Sequence, residues 1–201
     1  MKWFLFLFLN LSAFSQSDPC YYFEQEAKVK LTTISNKIAG FEAPYYLSKK
    51  ELFSIVSPEY ITYSIPMNDL EVLLVKSNIV LNNDKFDLSF GPFQMKISFI
   101  LKTLSQTPIN IINDSILIDI KNNPTKIASS QIDYLNQLEI QWKLLRLFEY
   151  SNKKSYEKCS LKGLYTLYNR GHIDKKATIF KKINCRNSTY EDWCAAFIHF
   201  L

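Results

Sequence analysis

The chain has 201 residues, 47% of them hydrophobic and 15% aromatic, with a formal net charge of +5 and four cysteines. That is enough apolar material for one domain with a real core, and the cysteines show none of the C-x-x-C spacing that a metal site would use. Gly/Pro/Ser-rich linkers, internal repeats and low-complexity tracts are absent, and nothing implies a metal or an organic cofactor.

In chain order, Met1-Lys2, the apolar run Trp3 to Leu11 and the exit SAFSQSDPC have the three parts of a secretory signal peptide. The run is shorter than the roughly 20 residues of a membrane anchor. Cleavage near Ser15 is therefore expected, with residues 1–15 as leader and 16–201 as one domain, periplasmic or secreted and without a transmembrane segment. The residues before Cys20 lack the pattern of a lipid-attachment box. In an oxidising compartment, Cys20, Cys159, Cys185 and Cys194 are expected to form two disulfides. Of the three possible pairings, Cys159 with Cys185 and Cys20 with Cys194 would staple the segment around YNRG and tie the chain ends together.

Beyond the leader, apolar residues recur mostly at three- and four-residue steps, the helical pattern. Helices are expected at about 22–38, from the Ser48/Glu51 capping box toward Pro58, and at 68–81 and 92–105. SILIDI, from Ser115 to Ile120, alternates and reads as a short strand or a buried turn. The run from Ser129 to Tyr150 places Ile132, Leu135, Leu138, Trp142 and Leu145 on one stripe, with Ser130 and Asp133 as its cap. Further helices are expected at 160–169 and 188–200. The fold class is mainly α in a single domain, with a short strand or hairpin at most.

Positive charge gathers between Lys153 and Arg186, where only Glu157 and Asp174 oppose the lysines and arginines. Such a face attracts polyanions; a solvated lysine-rich surface would look the same. Nucleic acid is one such polyanion, but a secreted protein meets anionic wall polymers first, so no nucleic-acid partner is expected.

Three short stretches carry chemistry. In SPEYITYS, Ser57-Pro58-Glu59 can open a helix, with Glu59 satisfying its positive end and its pKa lowered. Alternatively Glu59 ends the preceding helix, packed among Ile55, Val56, Tyr60 and Ile61, where desolvation would raise it toward a general acid. In FGPFQM, Gly91-Pro92 reads as helix-entry punctuation, or as a place where a missing Cβ lets the backbone approach a ligand. Gln94 then supplies both a donor and an acceptor. In LYTLYNRGH, the helix can end at Asn169 with Gly171 as cap and Tyr165 and Tyr168 as core; functionally, Tyr168 and Asn169 would hold a carboxyl and an acetamido group. His172 reads as a surface residue and His199 as structural.

The order Glu59, Gly91-x-x-Gln94, Tyr168-Asn169-x-Gly171 resembles the lysozyme-like lytic transglycosylases, in which a catalytic Glu is followed by a GLMQ-type turn and an AYNxG helix end. The match spans roughly Ser48 to His172. It departs from the family where Tyr60, not Ser, follows the Glu, leaving Ser64 as the nearest downstream serine. It departs again where Pro92-Phe93 replaces Leu-Met and where the interval to Tyr168 is long, suggesting an insertion around Thr107 to Ser129 over the cleft or toward a partner.

The resemblance implies a lysozyme-like domain acting on peptidoglycan glycan strands, with Glu59 as the acid and base and Gly91, Gln94, Tyr168, Asn169 and Ser64 as substrate contacts. A hydrolytic muramidase pairing Glu59 with Asp84 or Asp87 is the alternative within enzymes. A non-catalytic cell-wall glycan binder or scaffold is the alternative outside them, and a third reading is a disulfide-stapled helical protein whose three motifs lie apart in space.

Overall fold

A computed structural model describes residues 19–63, 65–80, 88–170 and 189–201. Helix α1 (Pro19–Ala39) buries Ala27, Leu31, Ile34 and Ile38, one stripe at helical spacing. The Ser48/Glu51 box closes as its spacing predicts, Glu51 N–H donating to Ser48 Oγ (3.2 Å) and Ser48 N–H to Glu51 Oε2 (2.8 Å), and starts α2 (Lys49–Ser54). Pro58 ends that run without ending the helical path: α3 (Ser57–Thr62) restarts with proline in its first turn. Helix α4 (Ile65–Val80) leads to an antiparallel hairpin, β1 (Ser89–Phe90) and β2 (Met95–Lys96), with Ser89 opposite Lys96 and Phe90 opposite Met95.

After the hairpin come α5 (Ile97–Gln106), a 3-10 turn (Ile109–Ile111), α6 (Ser115–Asn122), α7 (Ser129–Leu135), α8 (Leu138–Ser151) and α9 (Lys153–Arg170). Helix α9 breaks at Ser160, which has φ 59°. The chain closes with α10 (Tyr190–Phe197) and a 3-10 turn (Ile198–Phe200). The fold is mainly α with one short hairpin, and no helix among the described residues is long and apolar enough to cross a membrane. Helix α10 is the hub: it packs on α1, α2, α3 and α9 and buries Tyr190, Trp193, Cys194 and Phe197.

Three sequence expectations are corrected here. Gly91 to Gln94 do not open a helix over 92–105; they form the hairpin turn, and the helix starts at Ile97. The run Ser129 to Tyr150 is two helices, parted at Asn136-Gln137, and its start is held by Ala128 N–H donating to Gln131 Oε1 (2.7 Å) instead of by Ser130 and Asp133. SILIDI is helix α6, because Asp114 caps it by accepting from Leu117 N–H (3.1 Å) while Leu117 and Ile120, three residues apart, go to the core. Two-residue alternation over six residues cannot distinguish this from a strand. The segment expected as an insertion packs onto α5, with Lys121 Nζ donating to Leu104 O (2.5 Å).

Asp114 also accepts from the Tyr134 hydroxyl (2.5 Å) and from Lys143 Nζ (3.3 Å), joining α6, α7 and α8. Burial alone would raise its pKa, but the Tyr134, Leu117 and Lys143 donors outweigh it and hold the carboxyl below the ordinary range. A depressed carboxylate stabilises the fold above its unfolded pKa, and that contribution disappears as pH falls through the folded one. Asp114→Asn keeps the cap and removes the charge. It should cost about 1–2 kcal/mol at neutral pH and flatten the loss of stability below about pH 4, both read from urea unfolding across pH; an unchanged acid limb would refute this role.

Candidate functional site

The hairpin turn is held from three sides. Gly91 has φ +78° and its N–H donates to Asn68 Oδ1 of α4 (2.5 Å). Gln141 of α8, fully buried, accepts from Phe93 N–H through Oε1 (2.7 Å) and donates to Phe90 O through Nε2 (2.9 Å). A Cβ on Gly91 would overlap that amide. The close approach that glycine permits at this position is therefore to Gln141, where the sequence suggested a glycan. Gln94 takes φ 51°, left-handed backbone that a non-glycine residue adopts at a cost. Its amide accepts from Ser89 Oγ (3.2 Å) and donates to Glu71 Oε2 (2.9 Å) and Gly91 O (3.2 Å). Asn68 and Glu71, one helical turn apart on α4, thus meet Gly91 and Gln94, three residues apart on the turn.

Phe93 joins the three stretches. Its ring packs edge-on against Phe53 (5.7 Å) and Tyr60 (6.5 Å), and Tyr60 follows Glu59. Its carbonyl accepts a hydrogen bond from the Tyr168 hydroxyl of α9. SPEYITYS, FGPFQM and LYTLYNRGH, far apart in sequence, meet around one residue. Asn169, half-buried, lies in the last turn of α9. Ser64, Asp84, Asp87, Gly171 and His172 lie outside the described residues.

Glu59 satisfies parts of both sequence readings. It sits in the first turn of α3, as Ser-Pro-Glu predicts, and is only 9% exposed, as the packed reading predicts. The α2–α3 junction it adjoins is sealed by α10, where the Tyr190 hydroxyl donates to Ile55 O (2.7 Å) and Cys194 Sγ lies 3.7 Å from the same oxygen. Burial pushes the Tyr168 hydroxyl well above its ordinary pKa, and the Glu59 charge pushes it further. Tyr190 is raised first by burial, then by Cys194 and Glu59; Cys194 first by burial, then by Glu191 and Glu59. The Glu59 carboxylate thus shares a poorly solvated region with two tyrosines that stay protonated and can only be hydrogen-bonding partners at neutral pH. Glu191, 3% exposed, accepts from Thr166 Oγ1 (2.9 Å), two residues before Tyr168.

The Cys20–Cys194 bridge is not formed. Cys194 is a free, buried thiol on the inward side of α10, facing Ile55 instead of another cysteine. The Cys159 and Cys20 side chains and all of Cys185 lie outside the described residues.

Sequence reasoning missed Asn68, Glu71, Gln141, Tyr190 and Glu191. Gln141 left a signal, a glutamine between Ile140 and Trp142 inside an apolar stripe, where an uncharged polar side chain is buried only if both ends of its amide are bonded. Comparison with known proteins returned no match to any family model, curated protein or solved structure.

Gly91→Ala should lose about 2–5 kcal/mol, since an L side chain at this φ costs about 1–2 kcal/mol and overpacking against Gln141 about 1–3 kcal/mol. Gln141→Ala removes the clash and leaves only the backbone penalty at Gly91. In a double-mutant cycle by urea unfolding, the two losses should fall short of additivity by at least about 1 kcal/mol; strict additivity would show that the turn does not rest on Gln141.

Proposed function

We propose that the chain is a lytic transglycosylase acting outside the cytoplasm on peptidoglycan glycan strands, with Glu59 as general acid and base. The observation that carries this reading is the convergence on Phe93: the Tyr168 hydroxyl bonds its carbonyl, and Tyr60, next to the buried Glu59, packs on its ring. Such a site needs a carboxyl sheltered from water, and the surroundings of Glu59 supply that shelter.

In the proposed reaction the protonated Glu59 gives its proton to the oxygen leaving the muramic C1. The C1–O bond breaks, and the resulting carboxylate takes the proton of the muramic C6 hydroxyl as O6 bonds to C1 and closes a 1,6-anhydro ring. The proton count returns to its start and no water is consumed, so one carboxyl suffices where ordinary glycosidases pair two. Tyr168 fixes the position of the Gly91–Gln94 turn relative to Glu59. Gln94, already bonded to Glu71, presents a turn of set geometry more than a free amide.

The test is mass spectrometry of muropeptides released from purified peptidoglycan by the wild type and by Glu59→Gln. Products one water lighter than hydrolysis products are expected, reduced about 10²–10⁴-fold in the variant. Hydrated products would replace this reading with a muramidase using Asp84 or Asp87. No release by either protein would leave a glycan-binding or scaffold protein.

A further inference from the structure

Helix α4 is apolar on both sides. Asn68, Val72 and Val75 face inward, Asn68 holding the hairpin turn through Gly91 N–H (2.5 Å). At about 100° per residue, Met67, Leu70, Leu73, Leu74 and Ser77 fall on the opposite side, within an arc of roughly 120°. All five are exposed, Met67 by 57%, Leu70 by 51%, Leu73 by 60% and Leu74 by 43%. The other exposed large hydrophobics among the described residues, Val29, Tyr46 and Ile109, lie on separate elements. A helix that is apolar all round is ordinarily a buried one, and a continuous apolar strip of this kind marks an interaction surface. This face of α4 calls for a cover.

The charges beside the face decide what covers it. On one flank stand Asp69 and Lys76, nearly two turns apart, with Lys76 also holding Asp133 of α7 (2.5 Å). On the other stand Asn78 and Glu71, the latter bonded to Gln94 (2.9 Å). A bilayer surface would ask for Lys and Arg beside the apolar strip, and two acids against one paired lysine do not supply them. A second copy of the same helix fits better. Take an antiparallel pair whose twofold axis crosses between residues 72 and 73: Asp69 and Lys76 then lie equally far from the axis on opposite sides of it. Such an axis keeps each flank on its own side, so Asp69 of each copy comes beside the partner's Lys76. The same register sets Leu73 against the partner's Leu73, Leu70 beside the partner's Leu74, and Met67 beside the partner's Ser77, the one small side chain of the strip. A parallel pair would instead bring the Asp69 flank against the Glu71 flank, acid on acid.

We propose that the exposed face of α4 is the interface of a homodimer, an antiparallel helix pair in which Met67, Leu70, Leu73 and Leu74 of each copy interleave and Asp69 meets the partner's Lys76. One helix strip per copy is smaller than the about 800 Å² per partner of a standard interface, so the pair forms reversibly, with dissociation in the micromolar range or above. Both copies use the same face, so assembly closes at two. The face points away from the side of α4 that holds Gly91, and the pairing does not depend on how the Glu59 site functions.

The test is sedimentation equilibrium of the full chain from about 5 μM to about 1 mM, the range in which an interface this small should assemble. A mass that rises from monomer to dimer and levels there is expected. Leu73→Lys, which sets two ammonium groups at the axis, should stay a monomer throughout, and because Leu73 is exposed its urea midpoint should match the wild type. Asp69→Lys, turned toward the partner's Lys76, should weaken the pair about tenfold, and Asp69→Glu should retain it. If Leu73→Lys unfolds, Asp69→Lys carries the test. A monomer at every concentration, a mass that climbs past the dimer, or a dimer unchanged in Leu73→Lys would each overturn the proposal. Equal affinity in Asp69→Lys and Asp69→Glu would overturn it too, since the antiparallel register requires the difference. A monomer that binds phosphatidylcholine vesicles and loses them in Leu73→Lys would overturn it in favour of a bilayer.

Discussion

The buried amide of Gln141 is the contact on which the arrangement around Glu59 rests. A two-residue hairpin has little to hold it, because its ladder is too short and its turn includes Gln94 in a left-handed conformation. Gln141 supplies what the ladder lacks by reading the turn as a further strand would, accepting from Phe93 N–H and donating to Phe90 O. The absence of a side chain on Gly91 lets the amide come that close. Both hydrogen bonds are buried, so losing either partner would strand a backbone group away from water at a cost of about 1–3 kcal/mol. The turn then fixes Phe93, and Phe93 fixes the approach of Tyr60 and Tyr168 toward Glu59.

Around Glu59 the polar groups form a buried layer between α3, α9 and α10. Tyr190 and Cys194 both address Ile55 O, at the junction where α2 stops and α3 restarts. Helix α10 docks on the junction through this acceptor and, packed on α3, covers the Glu59 side of it. Glu191 and Thr166 extend the layer toward Tyr168. A buried thiol whose pKa is pushed up by its surroundings is a poor nucleophile and a poor partner for disulfide exchange. That explains how Cys194 serves as core even though its chain carries three other cysteines.

Helix positions and the mainly α class were legible because apolar spacing and capping chemistry are local. The Ser48/Glu51 box and the α1 stripe depend on residues within a few positions of each other. What failed was legible only in three dimensions. Residues 91–94 became a hairpin turn because Asn68, Glu71 and Gln141, between 20 and 50 residues away, supply its hydrogen bonds. SILIDI became a helix because Asp114 found Tyr134 and Lys143 as well as its own cap. Glu59 was split between two readings that sequence treats as exclusive, yet a helix start can be buried when another helix covers it. The Cys194 pairing failed for a related reason: compartment and spacing say nothing of which face of α10 a cysteine takes.

Helix α8 places different demands on its two sides, and its sequence shows how both are met. The side carrying Gln141, Leu145 and Phe148 faces the hairpin and Tyr168, Phe148 lying 6.0 Å from the Tyr168 ring. The flank carrying Trp142, Arg146 and Glu149 holds the loop 42–47 by its backbone: Trp142 Nε1 donates to Glu42 O (3.0 Å), Arg146 Nε donates to Ala43 O (2.7 Å), and the Glu149 carboxylate accepts from the N–H groups of Tyr45, Tyr46 and Leu47. Each side uses one buried polar residue with several partners, Gln141 on one and Glu149 on the other, the latter raised in pKa by burial although three N–H groups and Arg146 oppose the rise. A carboxylate is tolerated there because three fixed amide donors replace its hydration, while an uncharged amide suffices where only one donor and one acceptor must be met. The helix therefore meets its two partners with different chemistry, a neutral amide toward the hairpin and a carboxylate toward the backbone of Tyr45 to Leu47.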